Sequence, residues 1–241
     1  MANSFRNDTF RDPLILLWSV IALLAANIAL SIVFSLFGVV IIAVPDWVMY
    51  VEEGGIIALT AIAVGLLGIL EVPLRIVTGI VFLVWVYRAY NNLSALKARN
   101  LQFSPGWAVG WWFIPFANLV KPFQVVREIF NESDPDCDTE TGFLHLSPGT
   151  PVEIGFWWGS LLVSNVLYRI SDAFYGKGDE PASEYYAPFF LGGALLAIAA
   201  GSLAIFIVKE TTRRQRERFA VVSRSFGNMD EPPPPPAFTA G

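Results

Sequence analysis

The chain has 241 residues, of which 54% are hydrophobic and only 15% charged, with a formal net charge of −5. A soluble domain carries about 25% charged residues, so this balance excludes an ordinary water-soluble globule. One cysteine (Cys137) and one histidine (His145) exclude an intrachain disulfide framework and any zinc site built from Cys and His alone.

Residues 1–13 are polar, contain Arg6 and Arg11, and read as a cytoplasmic N-terminus. Leu14 to Val44 then carries no charged residue. It is too long for a signal-peptide core and lacks a small-x-small cleavage site, so it is expected to be an uncleaved anchor and the first crossing, about 14–44. As a helix it would be about 46 Å long at 1.5 Å per residue. It must therefore tilt, bend near Gly38 or project from the bilayer. Pro45-Asp46-Trp47 ends it, and Glu52 and Glu53 mark an acidic outer loop.

The stretch 56–90 is apolar except for Glu71 and Arg75, which flank Pro73, and Arg88 near its end. It reads either as one kinked helix that crosses once or as two short spans, 56–70 and 74–90. Two spans would put Arg88, Lys97 and Arg99 outside, against the positive-inside rule. They would also need a turn at Glu-Val-Pro-Leu-Arg, which has no Gly, Asn or Asp. One crossing is the favoured reading.

Ser104 to Pro122 reads SPGWAVGWWFIPFANLVKP. Its apolar run, 107–120, is interrupted by Pro115 and Asn118 and is short of the roughly 20 residues a spanning helix needs. It is expected to re-enter on the cytoplasmic side. Apolar residues at 119, 123, 126 and 130, with Lys121, Gln124, Arg127 and Glu128 between them, predict an amphipathic helix over 119–130 lying on the membrane surface. An acidic loop follows, then crossings at about 152–174 and 187–208. Residues 209–241 read as a basic and then proline-rich disordered cytoplasmic tail, with Pro232–Pro236 extended.

With four crossings and both termini in the cytoplasm, every Lys and Arg except Arg75, Arg169 and Lys177 falls on the cytoplasmic side. Every tryptophan except Trp47 maps to that same interface. No alternation of the outer-membrane barrel type occurs. The expected fold is all-α: a polytopic membrane helix bundle of about four crossings with a cytoplasmic-side re-entrant aromatic segment.

Three pieces of sequence occur together: Trp85-Val-Tyr-Arg-Ala-Tyr-Asn-Asn-Leu, the run Ser104 to Glu128, and Ser133-Asp-Pro. Together they resemble the bacterial membrane family catalogued as domain of unknown function 4328. The resemblance is strongest over about 80–135 and extends to about 210. It implies a multi-pass protein of the bacterial inner membrane. It supplies no established activity and no catalytic residues.

The residues themselves offer several candidate sites. Asn118, between two prolines that disrupt regular helix, could line a small polar pocket or merely cap a turn. Trp107, Trp111 and Trp112, with Arg88, Lys121 and Arg127 around them, could bind a lipid headgroup or a partner. Each basic residue would add about 1 kcal/mol near an anionic surface, although topology signalling alone also accounts for them. Glu71 and Arg75, four apart on one helix face, form either an intramembrane pair or an interfacial one. Asn165, Arg169 and Asp172 share a face of the third crossing, and Asn27, Ser31 and Ser35 form a stripe on the first. Gly193, Ala197 and Gly201 present a small-residue face for close packing, within the bundle or in a homo-oligomer. Asp134, Asp136 and Asp138 hint at calcium, but Thr139 and His145 stand where an EF-hand loop needs glycine and a carboxylate.

No metal, cofactor or nucleic-acid partner is expected, and no intramembrane nucleophile–base pair is evident. The reading is a non-enzymatic inner-membrane protein that organises lipid or a protein partner at the cytoplasmic face. A small transport module is the alternative, and a membrane enzyme ranks below it. Transport requires a polar cavity that Asn118 shares with Asn27 or Asn165. Scaffolding requires a dry bundle with an exposed aromatic patch. Enzymatic action requires converging carboxylates, such as Glu128 with Asp134.

Overall fold

The computed structural model describes residues 9–43, 55–99, 101–135, 151–174 and 183–227. Trp47, Glu52 and Glu53, the Asp136–Asp138 part of the acidic loop, Cys137, His145, Lys177 and the polyproline run lie outside them. Among the described residues there are six α-helices: α1 (Leu14–Ala43), α2 (Ile56–Ala95), α3 (Pro105–Gly110), α4 (Lys121–Glu132), α5 (Val152–Phe174) and α6 (Ser183–Gly227). Two single 3-10 turns, Trp111–Phe113 and Ala117–Leu119, lie between α3 and α4. Among the described residues there is no strand.

Three stretches, Leu14–Val40, Ala58–Ala95 and Tyr186–Arg224, are long and apolar enough to cross a membrane. Helix α5 carries Glu153, Arg169 and Asp172, which lower its apolar character.

Helix α2 runs unbroken through Pro73 for 40 residues, with no turn at Glu71–Arg75. It stops at a paired-bond cap. The Ala98 N–H donates to the Leu93 carbonyl at 3.0 Å and the Lys97 N–H to Ser94 at 3.1 Å. Lys97 takes the left-handed φ of 58° that such a cap requires.

The long helices pack in the order α2, α1, α6, α5. Antiparallel α1 and α2 are joined midway by Asn27, whose Nδ2 donates to Thr78 Oγ1 at 2.7 Å. Small residues let α6 approach both neighbours. A Cβ on Gly201 would stand 2.9 Å from Ile28 of α1, and one on Gly193 would stand 3.3 Å from Tyr168 of α5. The Gly193, Gly201 and Ala197 face thus packs inside this chain. Nothing comparable joins α2 to α5. They face each other across an opening bridged by side chains, with Arg75 over the Tyr168 ring at 5.5 Å and Phe82 beside Trp157 at 6.1 Å.

One end of the bundle is closed by a cap made of α3, the two 3-10 turns, α4 and the last turns of α6. Two expectations change here. The amphipathic helix starts at Lys121 and ends at Glu132, and its apolar face is covered by protein. Pro122, Val125, Val126, Ile129 and Phe130 are buried against the bundle. Each such side chain contributes about 1.5–3 kcal/mol by leaving solvent. They join Trp85, Leu93, Leu96 and Val208 on one side and Ile154, Trp157 and Ile207 on the other.

The second change concerns 209–227, expected as the basic part of a cytoplasmic tail outside the bundle. This stretch continues α6 as one 45-residue helix. Val208, Thr211, Thr212, Gln215 and Arg218 fall at helical spacing on one buried face. Glu210, Arg213, Arg214 and Glu217 pair along the other. The positive charge that signalled a tail is thus partly paired along the helix and does not prevent docking.

Candidate functional site

The cap is held by the motif residues that prompted the family resemblance. The Tyr90 hydroxyl accepts from the Phe103 N–H at 2.9 Å and lies 2.9 Å from Glu128 Oε2 and from the Phe103 carbonyl. Glu128 Oε1 accepts from the Gln102 N–H at 2.6 Å. Burial pushes the Glu128 carboxyl above its ordinary value of 4.5, against the two hydrogen bonds that favour its ionised form. This clasp ties the loop before α3 to α2 and α4.

A second polar cluster ties down α6. Gln215, fully buried, donates to the Ala89 carbonyl at 2.8 Å and to Ser133 at 3.2 Å. Asn92 reaches Gln215 Oε1 at 3.3 Å and the Arg11 carbonyl at 3.0 Å. Arg218, 2% exposed, donates to the carbonyls of Leu96, Glu132 and Asp134. Arg214 pairs with Asp134 at 2.9 Å and lies over the Phe130 ring. The carboxylates of Glu128 and Asp134 thus serve different partners.

Between these anchors lies the broken segment 104–120. Ser104 caps α3 by accepting from the Trp107 N–H, and Pro105 fits the first helical position, where no N–H is needed. At Pro115 the chain reverses tightly. The Ala117 N–H donates to the Pro115 carbonyl at 2.8 Å, and Phe116 between them takes φ 62° and ψ −45°. This is the strained form of the γ-turn. The segment leaves at Leu119, whose carbonyl accepts from Trp158 Nε1 at 2.8 Å. Entry at Phe103 and exit at Leu119 are therefore fixed at the same end of the bundle.

The aromatic residues of this segment divide by direction. Trp111 and Trp112 are half-buried, and Trp112 stands edge-on to Trp158 and Phe82 at 5.7 Å each. Facing outward are Phe113, 72% exposed, and Phe116, 87% exposed, with Trp107, Leu119 and Val120 beside them. The sequence reading picked the three tryptophans and overlooked both phenylalanines. The Pro-Phe step was the available signal.

Lys121 stacks over the Trp111 and Phe103 rings and Arg127 over Phe123, while Arg88 is half-buried at the cap end of α2. Asn118 lies in the second 3-10 turn. Its N–H donates to the Ile114 carbonyl, and its buried Oδ1 has no hydrogen-bond partner.

The opening between α2 and α5 leads to a cavity of about 290 Å³ walled by α1, α2, α5 and α6. Asn27, Thr78, Ser164 and Asn165 line it, and Asn118 does not. Phe82, Trp112 and Trp157 line it at the cap end. Arg75 lines it as well and pairs with Glu71. Arg169 and Asp172 are exposed on α5 and do not line it. Asn27 and Asn165 share this cavity and Asn118 does not, so it is not the shared cavity expected of a transport path.

A family model described as domain of unknown function (DUF4328) matches residues 51–213. No curated protein and no solved structure matches the chain. The match runs from just before α2 into the extension of α6, so the chain belongs to this family. Helix α1, Gln215 and Arg218 lie outside the matched stretch.

Proposed function

We propose that this member of the DUF4328 family is a four-crossing protein of the bacterial inner membrane that acts by binding rather than by catalysis. Helices α1, α2, α5 and α6 cross, both termini are cytoplasmic, and the cap lies at the inner leaflet. Segment 104–120 is a wedge that enters the leaflet from the cytoplasmic side and organises anionic lipid around it.

The observation that carries this reading is Phe116. A large apolar ring is held 87% exposed on a strained backbone turn. Strain of this kind persists where the surroundings fix it, and it clusters at sites of function. Water gives no reason to display such a ring, whereas hydrocarbon does. Burying Phe113 and Phe116 in the leaflet contributes about 1.5–3 kcal/mol each. Lys121 and Arg127 sit at the base of the wedge, where each adds about 1 kcal/mol toward anionic headgroups.

The test is a depth measurement on protein reconstituted in vesicles of phosphatidylglycerol and phosphatidylcholine, in a Cys137→Ser background. A spin label at Phe116→Cys should be reached by oxygen and shielded from a water-soluble nickel relaxant. A label at Gln102→Cys should show the opposite. Water-like accessibility at position 116 would overturn the wedge.

A further inference from the structure

The wedge leaves the opening between α2 and α5 without a role. We propose that this opening seats one acyl chain of a single membrane phospholipid, whose anionic phosphate is held by Arg75. The inference rests on the four-crossing placement, which sets the opening at membrane depth, but not on the wedge.

The lining is built for a chain. The wall on α6 is made of small residues, Ala197, Ala200, Gly201 and Ala204, so it is smooth. The polar side chains of the lining are largely turned to internal partners. Asn27 Nδ2 reaches the Leu23 carbonyl and Thr78, Thr78 donates to the Leu74 carbonyl, and Asn165 donates to the Leu161 carbonyl. The surface left for a guest is therefore mostly carbon. At about 290 Å³ the cavity is close to the lower edge of ligand-site volumes, about 300–1,000 Å³.

The shape selects the occupant. A helix needs about 10 Å of width, and the opening is bridged by Arg75 with Tyr168 and by Phe82 with Trp157. A helix from a second copy cannot enter between those bridges, but a single hydrocarbon chain can. Phe82, Trp112 and Trp157 stop the chain at the cap end, so the site is a pocket and not a path.

Arg75 supplies the polar end. Its side chain is 50% exposed although Glu71 occupies one nitrogen. A guanidinium has five donors in a planar fork suited to phosphate. The Arg75–Glu71 pair and Tyr168 thus form a headgroup clamp above an apolar slot.

Gly79 provides the test. It lines the cavity, and a Cβ built on it meets nothing within 4 Å. Gly79→Leu therefore fills the slot without striking the backbone, and it replaces glycine with a better helix former. Protein carrying phosphatidylglycerol and phosphatidylcholine should be delipidated stepwise and read by native mass spectrometry. Wild type should hold one phospholipid to the last step. Gly79→Leu should lose it while keeping the wild-type melting temperature, and the milder Gly79→Ala should reduce it. Arg75→Gln should lower phospholipid retention about tenfold, as expected for the loss of one charge-assisted hydrogen bond to the phosphate. Phe116→Ser, which weakens the wedge alone, should leave retention unchanged. Equal retention by Gly79→Leu, no retained lipid in wild type, or a second protein chain in place of lipid would each overturn the proposal.

Discussion

Tyr90 and Glu128 sit far apart in sequence, yet they share one hydroxyl-to-carboxylate contact that fixes the entry to segment 104–120. Burial raises the Glu128 carboxyl above 4.5, against the hydrogen bonds from Gln102 and Tyr90 that favour its charged form. A carboxylic acid with a raised folded-state value binds its proton more tightly folded than unfolded. Its contribution to stability therefore falls as pH rises from about 4.5 through the raised value, and is constant above it. Glu128→Gln keeps an acceptor and removes the charge. It should flatten that part of the melting-temperature profile, above pH 4.5. Glu128→Ala leaves the Gln102 N–H without its acceptor and should cost about 1–3 kcal/mol. Identical pH profiles for wild type and Glu128→Gln would show that the clasp does not titrate. The same scale explains what sequence reading missed. Trp111 and Trp112 were legible as unusual, but whether an indole points inward or outward depends on the γ-turn at Phe116 and on Trp158, neither of which periodicity reveals.

At the scale of elements, α6 does two jobs along one continuous helix. Its first half depends on glycine at close crossings. Gly201→Leu should separate α1 from α6, since even a Cβ would come within 2.9 Å of Ile28, and should lower the melting temperature by the equivalent of about 1–3 kcal/mol. Its second half docks on the cap through Gln215 and Arg218. Arg218→Ala removes the donor to three backbone carbonyls, of which that of Leu96 is buried, and should cost about 3 kcal/mol or more, with Lys97 and Arg99 becoming more accessible to protease. Unchanged stability would mean that the extension packs without this arginine. The small-residue face of α6 was visible in the sequence as a packing face, but not which neighbours it meets. The extension past Val208 was misread because its net charge drew attention away from the spacing of Val208, Thr211, Gln215 and Arg218. In the same way α4 showed its amphipathic period, and only the tertiary structure revealed that protein, not lipid, covers its apolar side.

At the scale of the whole molecule, the bundle is closed at the cap and open at its side. The polar clusters that could tax an apolar interior, around Tyr90, Gln215 and Arg218, all gather at the cap, where helix ends and loops supply carbonyls and N–H groups. The topology proposed above has its own check. In a Cys137→Ser background, cysteines at exposed Lys97 and Arg224 should react with an impermeant maleimide only from the cytoplasm, and one at Phe174 only from outside. Reaction of Lys97→Cys and Phe174→Cys from the same side would remove α5 as a crossing. Long uncharged runs, the bias of Lys and Arg, and the motif Ser104 to Glu128 determined from sequence alone that this chain is a helical protein with membrane-like helices and belongs to its family, because hydropathy, composition and a long motif are local properties. The tertiary structure alone decided that the motif builds a cap, that Phe113 and Phe116 face outward, and that α2 and α5 stand apart around a cavity. Those facts depend on which side chains meet across residues far apart in the chain, and a one-dimensional pattern does not contain that information.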